Sequence, residues 1–474
     1  MPSDPKQIIE YVLNDENQKR IREDFERYQI WNGKLKDIIR EAIKKEFALP
    51  ETVDEMIHRI TPLNIVQRIT QKLAQVYRQA PVRMSSDENP SDQELLDMFS
   101  NEFEINRKMK FSDSMFELSK NFMLEPFVNS QRLPRLRVLP SYTYTVYSDD
   151  VLDPTEPTHI IKHLKLDLKD PTKSRFVIWT NEQHVVVDGR GAPQKAEMEA
   201  MGNPEGVNPY GALPFTYVKR TEDRLVPISD DDLISIGGKI IPILLTDLNF
   251  ASKYQAWSLI AIIGAEAEKM SFNPNSVISL PEGARIDTVK PQIDIDAMLR
   301  QIKAQLGMLL SSKGLKPGDT EGSLTVDSVA SGVSKMIDNA ESQEIREDRI
   351  EYFRCAEENF WYCFAHKILP VWVKSKWIDE DFAGRFSEDF RLSIKFPEMK
   401  VTLNEQERVA NAKAKEDAGY ITKRMAIKEI DPDLNDEEVE QIMDQLKQEK
   451  LEMVDFVNRN LTQEEEGVGT DSED

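Results

Sequence analysis

Apolar residues recur at helical spacing through the N-terminal part of the chain. Residues 17–28 and 34–46 are rich in charge but keep apolar positions three to four apart, and residues 62–77 carry a continuous apolar stripe. A further helical pattern, with Ser91 as its expected N-cap, continues to Phe122. We therefore predict that the chain begins with a series of helices.

From Leu133 the spacing of apolar residues changes to about two, which is typical of strands. Turn residues such as Asp188-Gly189 separate the alternating segments. The segments predict strands around Leu136 and Val138 and at residues 142–147, 158–166, 175–180, 184–187 and 214–218. A β-rich region therefore follows the helices.

Two helices then enclose a short β segment. Ser229 is the expected N-cap of a helix that runs to Trp257 and contains Pro242 as a possible kink. The three acidic residues that follow Ser229 favour a helix start, because carboxylates interact well with the positive end of the helix dipole. Short strands are predicted at residues 276–280 and 284–289, and a second helix at residues 293–311.

A glycine-containing loop at residues 314–322 leads into a very long helical pattern at residues 326–369. Its apolar positions thin out between Glu341 and Arg349, so we expect a helix that is bent or partly solvated in its middle. Pro370 is expected to end it.

The remaining chain predicts one strand and several helices. The strand is at residues 391–396, and the helices include one at 403–418 that ends at Gly419 and one that Thr422 caps. A last helix is predicted at residues 436–457 and a disordered acidic tail at 458–474. The fold class is therefore α+β and predominantly helical.

Composition narrows the possible functions. The 474 residues carry a formal net charge of −23, which argues against a protein that wraps nucleic acid through phosphate contacts. Cys355 and Cys363 are too few for a disulfide framework and indicate a reducing compartment. The N-terminus shows no signal-peptide pattern. The longest apolar run, residues 259–265, is much shorter than the roughly 20 residues that cross a bilayer, so no membrane is expected.

Motifs for catalysis are missing from the sequence. There is no phosphate-binding loop: Gly237-Gly238-Lys239 lies in a helical pattern and lacks the upstream glycine. His159 and His163 fall on a predicted strand, about 13 Å apart, which does not suit a shared metal ion. The two cysteines are interpreted as core thiols. We therefore expect neither enzyme activity nor a metal or cofactor.

The order of elements resembles the portal proteins of tailed bacteriophages over residues 50–457. The stretches that carry the resemblance are RITQKLAQVYRQAP at residues 68–81, the passage 138–149, PYGALPFTYV at 209–218, the acidic-led helix at 229–252, SVASGVSKMIDN at 328–339, and residues 391–396, 406–419 and 431–447.

The resemblance implies a portal fold with a wing, a stem, a clip and a crown, and a long kinked helix after a tunnel loop. Mapped onto this chain, these parts are the wing at residues 1–228, the stem helices at 229–257 and 293–311, the clip at 258–292, the tunnel loop at 312–326, the long helix at 327–369, the wing return at 370–400 and the crown at 401–457.

The resemblance also implies a function. Portal proteins form a ring, here expected to have twelve copies, around a channel for double-stranded DNA at one capsid vertex. The ring serves genome packaging, retention and ejection, and it joins head to tail. The expected partners are the terminase large subunit, a head–tail adaptor protein, and capsid and scaffold proteins. The expected location is the virion, after synthesis in the host cytoplasm.

By the same resemblance, the tunnel loop should project into the channel and contact DNA weakly. Its candidate residues are Lys313, Gly314, Lys316, Gly318 and Gly322. The glycines permit unusual backbone angles, and the lysines are the only cations of the loop. The alternative is a loop that only joins two helices.

Two other functions compete with the portal. A nucleotide-driven packaging enzyme is disfavoured because the chain lacks a phosphate-binding loop. A helical scaffolding protein or assembly chaperone is disfavoured by the β-rich region, because such proteins tend to be helical throughout.

Overall fold

The computed structural model describes residues 4–46, 50–86, 89–165, 167, 169–170, 173–256, 259–263, 285–289, 294–315, 332–397, 405–431 and 438–448. It is an α+β structure with 55% helix and 14% strand, which confirms a mixed, predominantly helical fold. The chain divides into two compact units. One comprises residues 1–328 and 340–398, and the other comprises residues 329–339 and 399–474.

The first unit begins with helices, as predicted. They are α1 (Pro5–Val12), α2 (Asp15–Trp31), α3 (Leu35–Glu46), α4 (Pro50–Ile57), α5 (Ile65–Leu73), α6 (Pro90–Glu102) and α7 (Ile105–Ser119). Asn89, not Ser91, caps α6, because its side chain accepts a hydrogen bond from the Ser91 amide. The prediction of one helical pattern up to Phe122 is wrong, since a strand begins at Asn121.

Strands in three small sheets follow or interrupt these helices. They are β1 (Val82–Ser85), β2 (Asn121–Val128), β3 (Pro134–Leu139), β4 (Tyr144–Tyr147), β5 (His159–Lys165), β6 (Arg175–Trp179), β7 (His184–Asp188) and β8 (Thr216–Lys219), with the short helix α8 (Lys195–Ala200) after β7. All pairs are antiparallel. One sheet has the order β4-β5-β6-β7 and another the order β3-β2-β8. The predicted strands of the β-rich region are confirmed, and β1 and β2 were missed.

The central elements are α9 (Ile241–Ala256), β9 (Leu259–Ile263), β10 (Arg285–Val289) and α10 (Ile295–Ser312). A π-helical segment, Leu233–Ile240, precedes α9 without a break. We call Leu233–Ala256 and α10 the central helix pair. Ser229 does not cap this helix. Its hydroxyl donates to the Ser119 carbonyl, and the Asp232 side chain instead accepts from the Leu233 amide.

The long helix α11 (Gly332–Cys363) continues through a π-helical segment, Phe364–Ile368, into α12 (Leu369–Lys374). The prediction that Pro370 ends this helix is wrong. A π-helical segment precedes Pro370, and another precedes Pro242. Because a π turn is wider than an α turn, the helix continues past each proline, although the proline nitrogen has no hydrogen to donate. The strand β11 (Leu392–Lys395) follows and pairs with β1.

One large hydrophobic core holds the first unit together. The α11 residues Phe353, Phe360 and Phe364 are buried in it, as their helical spacing predicts. Phe103 packs edge-on against Phe364, with ring centroids 5.0 Å apart. Burial of aromatic side chains is a main source of folding free energy, so this helix anchors the unit.

The described part of the second unit is helical. It contains α13 (Glu405–Asp417), α14 (Lys423–Ile430) and a helix at residues 438–448. Gly419 follows α13 with a φ of 75°, and the Thr422 side chain accepts from the Met425 amide at the start of α14. Both local predictions are confirmed. The predicted disordered tail at residues 458–474 lies outside the described residues.

Candidate functional site

The two helices of the central helix pair run antiparallel and approach closely. A Cβ atom at Gly237 would lie 3.1 Å from Leu309 Cδ2, and one at Gly238 would lie 3.1 Å from Ile30 Cγ2. Glycine therefore allows Leu233–Ala256 to pack closely against both α10 and α2. The segment Gly237-Gly238-Lys239 is helical, as predicted, and Lys239 forms an ion pair with Glu26.

Two paired strands lie between the two helices in the chain. Strand β9 pairs antiparallel with β10 in a register that matches Leu259 with Val289 and Ile263 with Arg285. The strand β10 was predicted and β9 was not, because a five-residue apolar run has no period that separates strand from helix. The strand predicted at residues 276–280 lies outside the described residues.

Apolar side chains remain exposed on the central helix pair. Ile240 is 40% exposed, Leu299 is 38% exposed and Met308 is 64% exposed. Further apolar residues of the first helix are only half-buried, among them Ile243 and Leu248. A single chain therefore leaves apolar faces of this pair uncovered, which is typical of a surface that binds another protein.

Length and composition alone would allow Leu233–Lys253 to cross a membrane, since its most apolar window has a mean hydropathy of 1.4. In the structure, however, Leu233, Ile234 and Ile241 of this helix are buried in the protein core. In total, 39% of that window is buried inside the protein. The expectation that no membrane is involved stays a prediction.

A cluster of opposite charges links the start of the first helix to the end of α10. Asp230 accepts from Lys313 at 2.8 Å and from Lys120 at 2.9 Å. Asp232 accepts from Lys313 at 2.8 Å and from the Ser312 hydroxyl at 3.1 Å. We call Lys120, Asp230, Asp232 and Lys313 the charge cluster.

Asp231, the middle residue of the acidic triplet, points to a different partner. Its carboxylate lies 2.6 Å from the Arg27 guanidinium, which also contacts Asp24. The sequence predicted only that the triplet interacts with the helix dipole. It contains no signal for these ion pairs, because the partners lie about 80 or more positions away in the chain.

The charge cluster shifts the titration of its members. Burial raises the pKa of Asp230, but hydrogen bonds from Lys313 and Lys120 outweigh it and bring the pKa down to about 2. Burial lowers the pKa of Lys313, but its hydrogen bonds to Asp230 and Asp232 outweigh burial and raise that pKa. Both groups are therefore charged at neutral pH.

The predicted tunnel-loop residues fall partly within the described residues. Lys313 directly follows α10, and Gly314 adopts a φ of 68°, where a Cβ atom would also lie 3.0 Å from Ile345 Cδ1. Lys313 therefore caps the end of α10 and belongs to the charge cluster, and Gly314 makes the turn that follows. Lys316, Gly318 and Gly322 lie outside the described residues. Contact of the loop with DNA stays a prediction.

Two buried polar networks connect the long helix α11 to neighbouring elements. In the first, Arg349 forms ion pairs with Asp113 and with Glu117, and Asp113 accepts from the Val76 amide at 2.9 Å. Burial raises the pKa of Asp113 to about 6, although the positive charge of Arg349 opposes the rise. The prediction of a partly solvated middle is confirmed for the face of α11 that carries Glu347, whereas the face of Arg349 is buried.

In the second network, Glu357 is fully buried and accepts from Tyr77 at 2.6 Å. Arg83 donates to the same carboxylate through two nitrogens, at 2.5 and 2.8 Å. This bidentate pair compensates the cost of burying the charge and ties β1 to α11. No local sequence pattern predicted it, because Tyr77 and Glu357 are 280 positions apart.

The histidines and cysteines are the other side chains that could carry chemistry. His163 Nδ1 lies 3.0 Å from the Tyr142 carbonyl, and burial lowers its pKa to about 3. Among the residues the structure describes, no group of His, Cys, Asp or Glu side chains is placed to hold a metal ion. Cys363 is half-buried, but Cys355 is exposed, so the prediction that both are core thiols is wrong for Cys355.

Comparison with known proteins identifies no family. No family model matches the chain, and no curated protein matches it. One similar chain among solved structures comes from the neck of an empty GTA particle computed with C6 symmetry. The two chains share 13% identity over 80% of this chain and 92% of the other, with a TM-score of 0.30.

Proposed function

We propose that this protein is a structural portal protein that forms a ring around a DNA channel at one capsid vertex. In this role it serves genome packaging, retention and ejection, and it joins head to tail. The proposal rests on the order of elements that the sequence shares with portal proteins and on one structural observation, which is the uncovered apolar surface of the central helix pair.

The exposed side chains Ile240, Leu299 and Met308 support a ring. In a cyclic assembly each copy presents two different surfaces, one to each neighbour, so a helix pair can be covered from both sides. A monomeric protein would leave these side chains in water at a cost of about 25 cal/mol per Å² of apolar surface.

The acidic composition supports a channel through which DNA slides. Each contact between a cation and a phosphate releases counterions and adds affinity, so a channel with many free cations would hold the DNA. In this chain Lys313 and Lys120 are already paired with Asp230. Weak contact with DNA is therefore assigned to the part of the tunnel loop that follows Gly314, including Lys316.

The same proposal assigns the parts of a portal to elements of this chain and names its partners. The central helix pair is the stem, β9 and β10 belong to the clip, α11 is the long helix and the second unit contains the crown. The terminase large subunit, a head–tail adaptor, and capsid and scaffold proteins are the proposed partners. We propose no enzyme activity and no cofactor.

A scaffolding protein or assembly chaperone is the alternative. The antiparallel sheets of the first unit, such as β4-β5-β6-β7, are unlike the helical architecture expected of a scaffold.

Electron microscopy of the purified protein tests the proposal. Negative-stain images should show rings with a central hole. Met308→Glu should reduce the ring fraction at least tenfold, because it places a charge in the proposed stem contact. Leu63→Glu changes an apolar residue of similar exposure outside the central helix pair and should leave rings intact. Monomers in the wild-type protein, or rings that Met308→Glu does not affect, would count against the proposal.

A further inference from the structure

The loop between β4 and β5 presents two apolar side chains to solvent. Val151 is 91% exposed and Leu152 is 97% exposed, the highest values among the large apolar residues that the structure describes. Acidic residues surround them in the sequence: Asp149 and Asp150 precede the pair and Asp153 follows it. We call residues 148–158 the acidic loop.

Internal hydrogen bonds hold the acidic loop in shape. The Asp150 carboxylate accepts from the Leu152 amide at 2.8 Å, and the Asp153 carboxylate accepts from the Thr155 hydroxyl at 2.7 Å. At the base of the loop, the Thr158 amide donates to the Tyr147 carbonyl at 3.1 Å. The apolar pair is therefore displayed on an ordered loop, and binding it would cost little additional ordering.

The same unit contains a cavity of about 720 Å³ with aromatic walls. Trp179 stacks on His184 with ring centroids 3.7 Å apart, and the Trp372 indole donates to the Tyr210 hydroxyl at 2.9 Å. Three exposed apolar residues lie at its rim, namely Met201, Val207 and Trp377. We call this cavity the aromatic pocket. Its volume is within the range of protein pockets that enclose a ligand, which is about 300–1,000 Å³.

The charge of the aromatic pocket is opposite to that of the acidic loop. Arg132 and Lys376 are exposed cations of its lining. The one carboxylate, Glu125, is paired with Lys162. Burial lowers the pKa of His184 to about 4, so this ring is neutral at pH 7. Apolar walls with a cationic rim suit an apolar side chain that is flanked by carboxylates.

The sheet β4-β5-β6-β7 places the loop and the pocket on different edges. The acidic loop leaves the edge strand β4, whereas the pocket residues Trp179 and His184 lie where β6 meets the opposite edge strand β7. Ile160 pairs with Trp179, so both features are at the same end of the sheet. The exposure of Val151 and Leu152 shows that the loop does not fill the pocket of its own chain.

We propose that Val151 and Leu152 of one copy insert into the aromatic pocket of the next copy, with Asp149, Asp150 and Asp153 facing Arg132 and Lys376. This contact rests on the proposed ring. Each copy contributes one loop and one pocket, so the contact is head-to-tail, and contacts of this kind close into a ring when the rotation between copies permits.

Crosslinking between new thiols tests the contact. In a background in which Cys355→Ser and Cys363→Ala remove the native thiols, the pair Leu152→Cys and Val207→Cys places one thiol on the loop and one on the pocket rim. A short bis-maleimide should convert assembled rings of this variant into a covalent ladder that extends to the full ring. An equal mixture of the two single variants should give no product larger than a covalent dimer.

The matched control combines Val207→Cys with Lys19→Cys, which is exposed on α2 and outside the proposed contact. Rings of this control should give no ladder. Rings of the loop–pocket variant that give no ladder would overturn the contact and leave the proposed ring intact. A wild-type protein that forms no rings would instead remove the proposed function, and this contact with it.

A second measurement does not depend on crosslinking. Leu152→Asp should weaken subunit association at least tenfold, measured as the protein concentration at which half of the copies are assembled. Leu164→Asp, at another exposed apolar position of the same sheet, should not change this concentration. Equal assembly of Leu152→Asp and the wild type would also overturn the contact.

Discussion

The Lys313 ammonium lies 2.8 Å from the Asp230 carboxylate, so the residue after α10 is bound to the residue three positions before Leu233. The same ammonium contacts Asp232 at 2.8 Å. These ion pairs hold the end of α10 against the start of the first central helix. The proposed tunnel loop therefore starts beside the N-terminus of the first central helix.

Acid should weaken this connection. The pKa of Asp230 is about 2 in the folded protein and about 3.9 in an unfolded chain, so its stabilisation is present above pH 4 and is lost as the pH falls toward 2. Because the carboxylate is 43% exposed, we expect Asp230→Asn to cost only about 1 kcal/mol at pH 7. Thermal unfolding of both proteins at pH 7 and pH 3 would measure this. A difference that grows on acidification would contradict the assignment.

Lys313 and Lys316 should have separable roles. Lys313→Glu should lower the unfolding temperature of the isolated protein, because it places a third carboxylate beside Asp230 and Asp232. Lys316→Glu should leave the unfolding temperature unchanged and reduce the amount of DNA packaged per particle. Wild-type packaging by Lys316→Glu would show that the loop only connects two helices.

The reversed pair provides the control for Lys313. Asp230→Lys combined with Lys313→Glu restores opposite charges at this position and should recover part of the stability that Lys313→Glu loses. If the double variant is less stable than both single variants, the ion pair is not the cause of the loss.

Close packing at Gly238 should be sensitive to side-chain size. Gly238→Leu should destabilise the protein by about 1–3 kcal/mol, because Ile30 lies 3.1 Å from the position of the new Cβ. Gly307→Leu is the matched change on α10: a Cβ there meets no atom within 4 Å, and leucine has a higher helix propensity than glycine, so it should not destabilise the protein. Denaturant unfolding of both variants measures these differences. Equal effects would show that the close approach is unimportant.

The buried ion pair of Arg349 should contribute strongly to folding. Arg349→Met leaves Asp113 without its partner in the core and should destabilise by about 3–5 kcal/mol. Arg354→Met removes an exposed pair with Glu351 one turn away and should change the stability by less than about 0.5 kcal/mol. Chemical unfolding of the two variants compares them directly. A mild effect of Arg349→Met would mean that Asp113 takes up a proton or that water reaches its carboxylate.

The purified protein should hydrolyse neither ATP nor DNA above background. The sequence has no phosphate-binding loop, and the described residues contain no cluster of metal ligands. Phosphate release and nuclease assays with Mg²⁺ measure both activities. Turnover that one substitution in this chain abolishes would contradict the prediction.

Features that depend on neighbours in the sequence could be read from it. The change of apolar spacing near Leu133 predicted the strands from β3 to β8, because helices and strands have different periods. It placed the start of the strands too late, since β2 begins at Asn121. Gly419 and Thr422 predicted a helix end and a helix start, since each acts on backbone groups a few positions away.

Features that depend on distant segments were decided only by the tertiary structure. Pro370 does not end its helix because a π turn precedes it, and the buried Leu369 and Trp372 keep the following turn in the core. Arg349 belongs to a polar stretch that suggested solvent, yet Asp113 and Glu117 of α7 compensate its charge inside the protein. One partner of Asp230 is likewise a lysine 83 positions away. An ion pair depends on which surfaces folding brings together, and no local period in the sequence records that.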